Sequence, residues 1–143
     1  MGEAVDYVLA TATPDVVATV QWLEAEGASV TRERGGRHES FGNVLVEFAL
    51  DDAILTITRD RGQWMLDVQS GQLERFDYDV INAAISGDHH WSRPKPAALP
   101  TQLPDGVSWR ENVPVALDWL RTTHDARDHL ARLQRRRAAQ MSE

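Results

Sequence analysis

Residues 43–68, NVLVEFALDDAILTITRDRGQWMLDV, decide the fold, because apolar and polar side chains alternate along three successive segments. A period of two residues is typical of β-strands that bury one face. The pair Asp51-Asp52 separates the first two segments, and a turn containing Gly62 separates the second from the third. Aspartate bonds its own nearby backbone and glycine takes positive φ, so both breaks favour tight turns. The stretch therefore predicts an antiparallel β-meander.

The alternation also assigns the meander side chains to two faces. The face predicted to meet the core carries Val44, Val46, Phe48, Leu50, Leu55, Ile57, Trp64, Leu66 and Val68. The opposite face carries Glu47, Ile54, Thr56, Thr58, Gln63, Met65 and Asp67. Antiparallel sheets commonly leave one face in water. We therefore expect all helices to pack on the first face.

Helix signals precede the meander. Thr13 is a candidate N-cap and Pro14 suits the first helical position, which predicts a helix that runs to Glu26 and ends at Gly27. Residues 4–12 form a short apolar segment, which predicts either an edge strand or the lead into this helix. Residues 28–39 predict a first strand that runs into a loop.

Further elements follow the meander. Residues 72–76 predict a short strand, and Asp77 caps a predicted helix through Ile85. Residues 88–110 contain four prolines, which exclude a continuous helix or central strand and predict an irregular connection. Residues 112–139 carry apolar side chains at steps of three and four and predict one C-terminal helix with a basic end.

These elements predict a single α+β domain over residues 1–143. Its N-terminal helix precedes an antiparallel meander of about four or five strands, and C-terminal helices pack on one face of the sheet. A chain of this length can bury a sizeable core. The fold class is thus expected from pattern alone.

Composition narrows the function classes. The net charge is −7, and the negative charge is concentrated in the body, whereas the residues after Trp91 carry a basic excess. An acidic body repels nucleic acid and favours a basic partner, although solvation explains a charge excess more simply. The absence of cysteine excludes disulfides and fits a cytoplasmic protein. No apolar run is long enough to span a membrane.

No pattern predicts catalysis, a metal or a cofactor. The histidines are His38, His89, His90, His124 and His129, and neither adjacent nor five-residue spacing suits a helical metal pair. The sequence contains no serine-hydrolase elbow and no phosphate-binding loop. Arg32, Arg34 and Arg37 form a small basic island that either grips a phosphate or carboxylate or solvates a hairpin.

Segments NVLVEFAL and LTITRDRGQWMLDV resemble small bacterial proteins that are encoded beside toxin genes as immunity-type proteins. The run from Arg59 to Trp64, a strand-turn-strand, carries most of this resemblance. The resemblance implies a helix with an antiparallel sheet and an inhibitor that binds one cognate toxin without chemistry. It carries over no binding residue.

The leading prediction is a cytoplasmic, non-catalytic binding protein, an immunity- or antitoxin-like inhibitor that blocks a basic partner with acidic groups. The predicted contacts are Glu47, Asp60, Asp67 and Asp88, with Trp91 as an aromatic anchor. One alternative is a small enzyme or ligand-binding protein whose pocket lies between the sheet and the proline-rich connection, with Asp88, His89 and His90. Another is a homodimer that pairs through a sheet edge or the last helix.

Overall fold

A computed structural model of the chain describes residues 2–36, 42–71, 73–87 and 108–142. It contains, in chain order, α1 (Glu3–Thr11), α2 (Pro14–Ala25), β1 (Ser29–Gly35), β2 (Val44–Leu50), β3 (Ala53–Asp60), β4 (Gln63–Ser70), β5 (Phe76–Asp77), α3 (Tyr78–Ser86), α4 (Trp109–Thr122) and α5 (Ala126–Met141). The predicted α+β architecture is confirmed, since N-terminal and C-terminal helices flank one antiparallel sheet.

The five strands follow one another across the sheet in the order β1-β2-β3-β4-β5, and every pair is antiparallel. Two-residue turns join β2 to β3 and β3 to β4. At the second turn both Arg61 and Gly62 have positive φ, 52° and 81°, the geometry that matches the twist of a hairpin. A register shift between Val30 and Arg32 places a bulge in the edge strand β1.

The core lies between the sheet and the helices. The strand side chains that alternation assigns to the core are buried there, for example Phe48, Leu55 and Ile57, each 0% exposed. Each of the five helices contributes side chains to the same cluster, down to Leu130 from α5. The helices therefore cover one face of the sheet, as predicted.

Two predicted elements need correction. The segment 4–12 is not an edge strand, because Glu3–Thr11 forms α1 and buries Ala4 and Val8 one turn apart in the core. The single helix predicted over 112–139 is divided, since Thr123 is extended, with φ −92° and ψ 115°. This break ends α4 and lets α5 turn so that Leu130 reaches the core.

The start of α4 also lies earlier than Asn112. Ser108 is the N-cap, and its hydroxyl accepts a hydrogen bond from the Glu111 backbone N–H at 3.1 Å. Ser-x-x-Glu is the sequence pattern of a capping box, so this start was readable from the sequence. Of the predicted irregular connection 88–110, the last three residues are the cap and first turn of α4, and residues 88–107 lie outside the described residues.

Candidate functional site

The sheet surface that faces away from the helices is the candidate site, and we name it the outer face. Its members lie at the alternate positions of β2, β3 and β4: Leu45, Glu47, Ala49, Ile54, Thr56, Thr58, Asp60, Gln63, Met65, Asp67 and Gln69. Within the described ranges, most buried side chains of the helices belong to the core on the opposite face. Most outer-face side chains are half-buried, Thr56 is buried, and Met65 is 38% exposed.

Charged and polar side chains form a row across the middle of this face. The register places Arg32 beside Glu47, Glu47 beside Thr56, Thr56 beside Asp67, and Asp67 beside Asp77. Opposed residues on one face of an antiparallel pair lie close enough for their side chains to interact. The row therefore runs from an arginine on β1 to carboxylates on β4 and β5, so the face is polarised in charge.

Glu47 is held in place by the bulged strand beside it. The hydroxyl of Thr31 donates to Glu47 Oε2 at 2.9 Å. Within the part of the chain that the structure describes, no ion pair neutralises this carboxylate. Glu47 thus presents a positioned negative charge near the middle of the outer face.

Asp67 and Asp77 form a partly neutralised pair at the other end of the row. Arg75 Nε lies 3.6 Å from Asp67 Oδ2, and Arg137 of α5 lies 3.1 Å from Asp77 Oδ2. Burial, and next the Asp77 carboxylate, raise the pKa of Asp67, while Arg75 and Arg137 act in the opposite direction. Ionisation of Asp67 therefore costs free energy in the folded protein, and a nearby cation would stabilise the ionised form.

Asp77 also stabilises the fold. Its Oδ1 accepts the Asp79 backbone N–H at 2.9 Å, which caps α3 as the sequence predicts. Its other oxygen binds Arg137, so one carboxylate connects β5, α3 and α5. Sequence reasoning identified the cap but not the place of Asp77 in the row, because the pairing of β4 with β5 is set by tertiary structure.

One end of the outer face is concave. A depression of about 380 Å³, open to solvent, lies over the ends of β1, β2 and β3, and the outward-facing residues among its lining are Arg34, Asn43, Leu45, Thr58 and Asp60. Its floor is apolar at Leu45, whereas Arg34 and Asp60 place opposite charges on its lining.

Of the five predicted contacts, the structure brings three together. Glu47, Asp60 and Asp67 all lie on the outer face. Asp88 and Trp91 lie outside the described residues, so their part in the prediction stays a prediction. The same holds for the pocket predicted beside the proline-rich connection, because His89 and His90 also lie there.

Of the three arginines in the predicted basic island, the structure describes two. Arg32 and Arg34 are exposed at alternate positions of β1 and therefore share one face. We name this pair the arginine margin of the outer face. Neither makes an ion pair with another described residue. Arg37 lies outside the described residues.

Metal binding finds no support in the described ranges, which hold no group of three His, Asp or Glu side chains placed to bind an ion. Of the two histidines described, His129 packs edge-on against Trp119, with ring centroids 6.0 Å apart, and His124 lies exposed at the break between α4 and α5. None of the described helices combines the length and apolar character that crossing a membrane requires.

The chain is an α+β protein in which the helices that the structure describes lie on one face of the sheet. Comparison with protein-family models, with curated proteins and with solved structures finds no match in any of the three. The resemblance of residues 43–68 to immunity-type proteins therefore stays a prediction.

Proposed function

We propose that this protein is a non-catalytic, cytoplasmic binding protein that docks on a basic partner protein through the outer face. The observation that carries the proposal is that Glu47, Asp60 and Asp67, on three different strands, share the sheet surface that faces away from the helices. Carboxylates on one face steer a basic partner and fix its orientation more than they raise affinity.

The apolar members of the face support a contact rather than a solvated surface. Leu45, Ile54 and Met65 flank the charged row and are half-buried or exposed, so a partner can cover them. Interfaces commonly combine such an apolar centre with a polar rim. The arginine margin on β1 then favours one docking orientation, because it repels the basic side of the partner.

The mode of action that fits is inhibition by occlusion. A rigid sheet surface blocks a partner's basic site without any chemistry of its own, as an immunity- or antitoxin-like inhibitor does. Homodimer formation through the β1 edge fits less well. Arg32 and Arg34 charge that edge and the bulge at Thr31 distorts it, and both features oppose strand pairing.

The test compares two doubly substituted proteins with the same net charge. Glu47→Lys with Asp60→Lys reverses the outer face, and Asp6→Lys with Asp118→Lys reverses exposed positions on α1 and α4. Each tagged protein is used to capture partners from cells that express the neighbouring genes. A single basic protein, bound stoichiometrically by the wild type, is then purified and its association rate measured.

We expect the association rate of the outer-face variant to fall at least about tenfold, and that of the helix variant to stay near the wild-type rate. The partner's activity should fall when the wild type is added. Equal losses in both variants would assign the effect to net charge alone and remove the outer face from the proposal. Capture of no protein partner would remove the proposal altogether.

A further inference from the structure

A small cavity lies beside the outer face, where β4 and β5 meet the starts of α3 and α4. Its volume is about 40 Å³, and its walls include Trp64, Met65, Asp77, Tyr78, Asp79 and Trp109. A cavity needs roughly 10–15 Å³ of such space to hold one water molecule, so this one admits a small polar group. Its lining brings together three aromatic residues, Trp64, Tyr78 and Trp109, and two acidic residues, Asp77 and Asp79.

The aromatic walls are fixed by the core. Trp64 and Tyr78 are each 4% exposed and Trp109 is 3% exposed. The rings of Tyr78 and Trp109 meet edge to face, with centroids 6.4 Å apart. Aromatic faces attract cations, and Trp64 already has the Arg59 guanidinium 5.9 Å from its ring centroid.

The charges around the cavity favour a cation as well. Asp77 and Asp79 both line it, and Arg137 Nη1 lies 3.1 Å from Asp77 Oδ2. Burial, followed by the carboxylates of Asp15 and Asp79, raises the pKa of Tyr78, so its phenol stays protonated at neutral pH. An anion would meet two carboxylates here, whereas an ammonium group would be attracted by both.

The hydroxyl of Tyr78 supplies the second observation. It is buried and has no hydrogen-bond partner among the described residues. A buried polar group without a partner costs free energy, and such groups in native proteins need an explanation. This oxygen has almost no accessible surface, so an ammonium N–H reaches it once the Tyr78 side chain shifts toward the cavity, and that hydrogen bond would remove the cost.

We infer that this cavity accepts a compact ammonium group, in the first place the head group of a lysine on the basic partner. The inference rests on the proposed function, and it names the side chain that the partner inserts. The cavity adjoins the outer face, because Met65 belongs to that face and Asp77 ends its charged row. A lysine anchored there would lie beside Asp77, whose strand partner Asp67 gains in its ionised form from a nearby cation.

The experiment titrates the full chain with methylammonium chloride and follows the indole N–H resonances of its five tryptophans by NMR. Potassium chloride at equal ionic strength and methanol, a neutral molecule of similar size, are the comparison ligands. We expect saturable shifts at Trp64 and Trp109 with methylammonium only. Trp22 and Trp119 lie elsewhere and should not shift.

Two hydroxyl deletions give a matched pair. Tyr78→Phe removes the hydroxyl and keeps the ring, and we expect methylammonium affinity about two- to tenfold lower. Tyr7→Phe removes the other tyrosine hydroxyl, which accepts a hydrogen bond from Arg59, and affinity should change less than in Tyr78→Phe. Asp79→Asn should also weaken binding, since it removes one of the two carboxylates from the wall.

The inference is overturned if methylammonium gives no saturable shift, or if potassium chloride or methanol gives the same one, because the cavity then holds only water. It is also overturned if Tyr78→Phe and Tyr7→Phe bind alike. The titration needs no partner, so its failure removes the cavity alone. Failure of the charge-reversal comparison with a positive titration would remove the docking face and leave a small-molecule ammonium site.

Discussion

The carboxylate of Asp15 caps a helix that begins 94 residues later in the chain, since its Oδ2 accepts the Trp109 backbone N–H at 2.7 Å. Its Oδ1 accepts the Ser108 hydroxyl at 2.6 Å and the Arg110 backbone N–H at 3.3 Å. Asp15 itself lies in the first turn of α2. One negative charge therefore stabilises the N-termini of two helices that pack together.

This relationship predicts that Asp15→Ala lowers the free energy of unfolding by about 1–3 kcal/mol, because it leaves the start of α4 without its carboxylate acceptor. Urea denaturation measures the loss. Asp118→Ala is the matched control, since Asp118 is exposed on α4 and should change stability by less than about 0.5 kcal/mol. Equal effects of the two substitutions would show that the long-range cap contributes nothing.

The cap also shows which contacts can be predicted from the sequence and which cannot. Asp15 is expected in a first helical turn, and there its charge suits the dipole of its own helix. Its role at Ser108 depends on how α2 and α4 pack, which no local pattern encodes. Likewise, Thr13 occupies the predicted N-cap but makes no side-chain cap bond.

The strand faces, in contrast, were readable because a period of two leaves little freedom once one face is buried. Val46, Leu55 and Leu66 are buried as predicted, and Glu47 and Asp67 lie on the other face. The assembly of these acids into one row required the register between strands. That register is fixed jointly by the two tight turns and the core.

Gly42 provides a second prediction. Its φ is +80°, and a Cβ there would stand 2.5 Å from Arg59 Nη1 and 3.1 Å from the Tyr7 hydroxyl. Gly42→Ala should therefore lower the free energy of unfolding through both backbone strain and the collision. Gly27→Ala is the control, because Gly27 has φ +89° and open space around it.

We expect about 1 kcal/mol of loss for the Gly27 control and a clearly larger loss for Gly42→Ala, measured by urea denaturation. Gly42→Ala should cost less in an Arg59→Ala background than in the wild type, because the colliding guanidinium is gone, and a double-mutant cycle measures this difference. A Gly42→Ala loss no larger than that of Gly27→Ala would mean that Arg59 moves aside without cost.

Asp67 gives a prediction about pH. Burial and Asp77 raise the pKa of Asp67 in the folded protein, so its neutral form is the one that folding favours. The contribution of this group to stability is full below the pKa of the unfolded chain and is lost as pH rises through the higher folded pKa. Asp67→Asn should therefore increase stability at neutral pH relative to the wild type.

The increase should disappear as pH falls into the range where free aspartate is protonated, because wild-type Asp67 is then neutral too. Urea denaturation midpoints across the pH range measure this difference in stability. Asp60→Asn is the control, since Asp60 is at an exposed position of the same face. A lower stability of Asp67→Asn at neutral pH would mean that the attraction of Arg75 outweighs burial.

Thr56 gives the last prediction, since it lies at the centre of the charged row, is 3% exposed, and its hydroxyl has no hydrogen-bond partner among the described residues. Thr56→Val keeps the branched shape and removes the hydroxyl, so it should raise the free energy of unfolding by about 1 kcal/mol. Thr58→Val is the matched control on the same strand and face, where half-exposure lets water satisfy the hydroxyl, and its effect should be near zero. If Thr56→Val is neutral or destabilising in urea denaturation, the hydroxyl is satisfied by water at the outer face, which would make that face wetter and better suited to a polar contact.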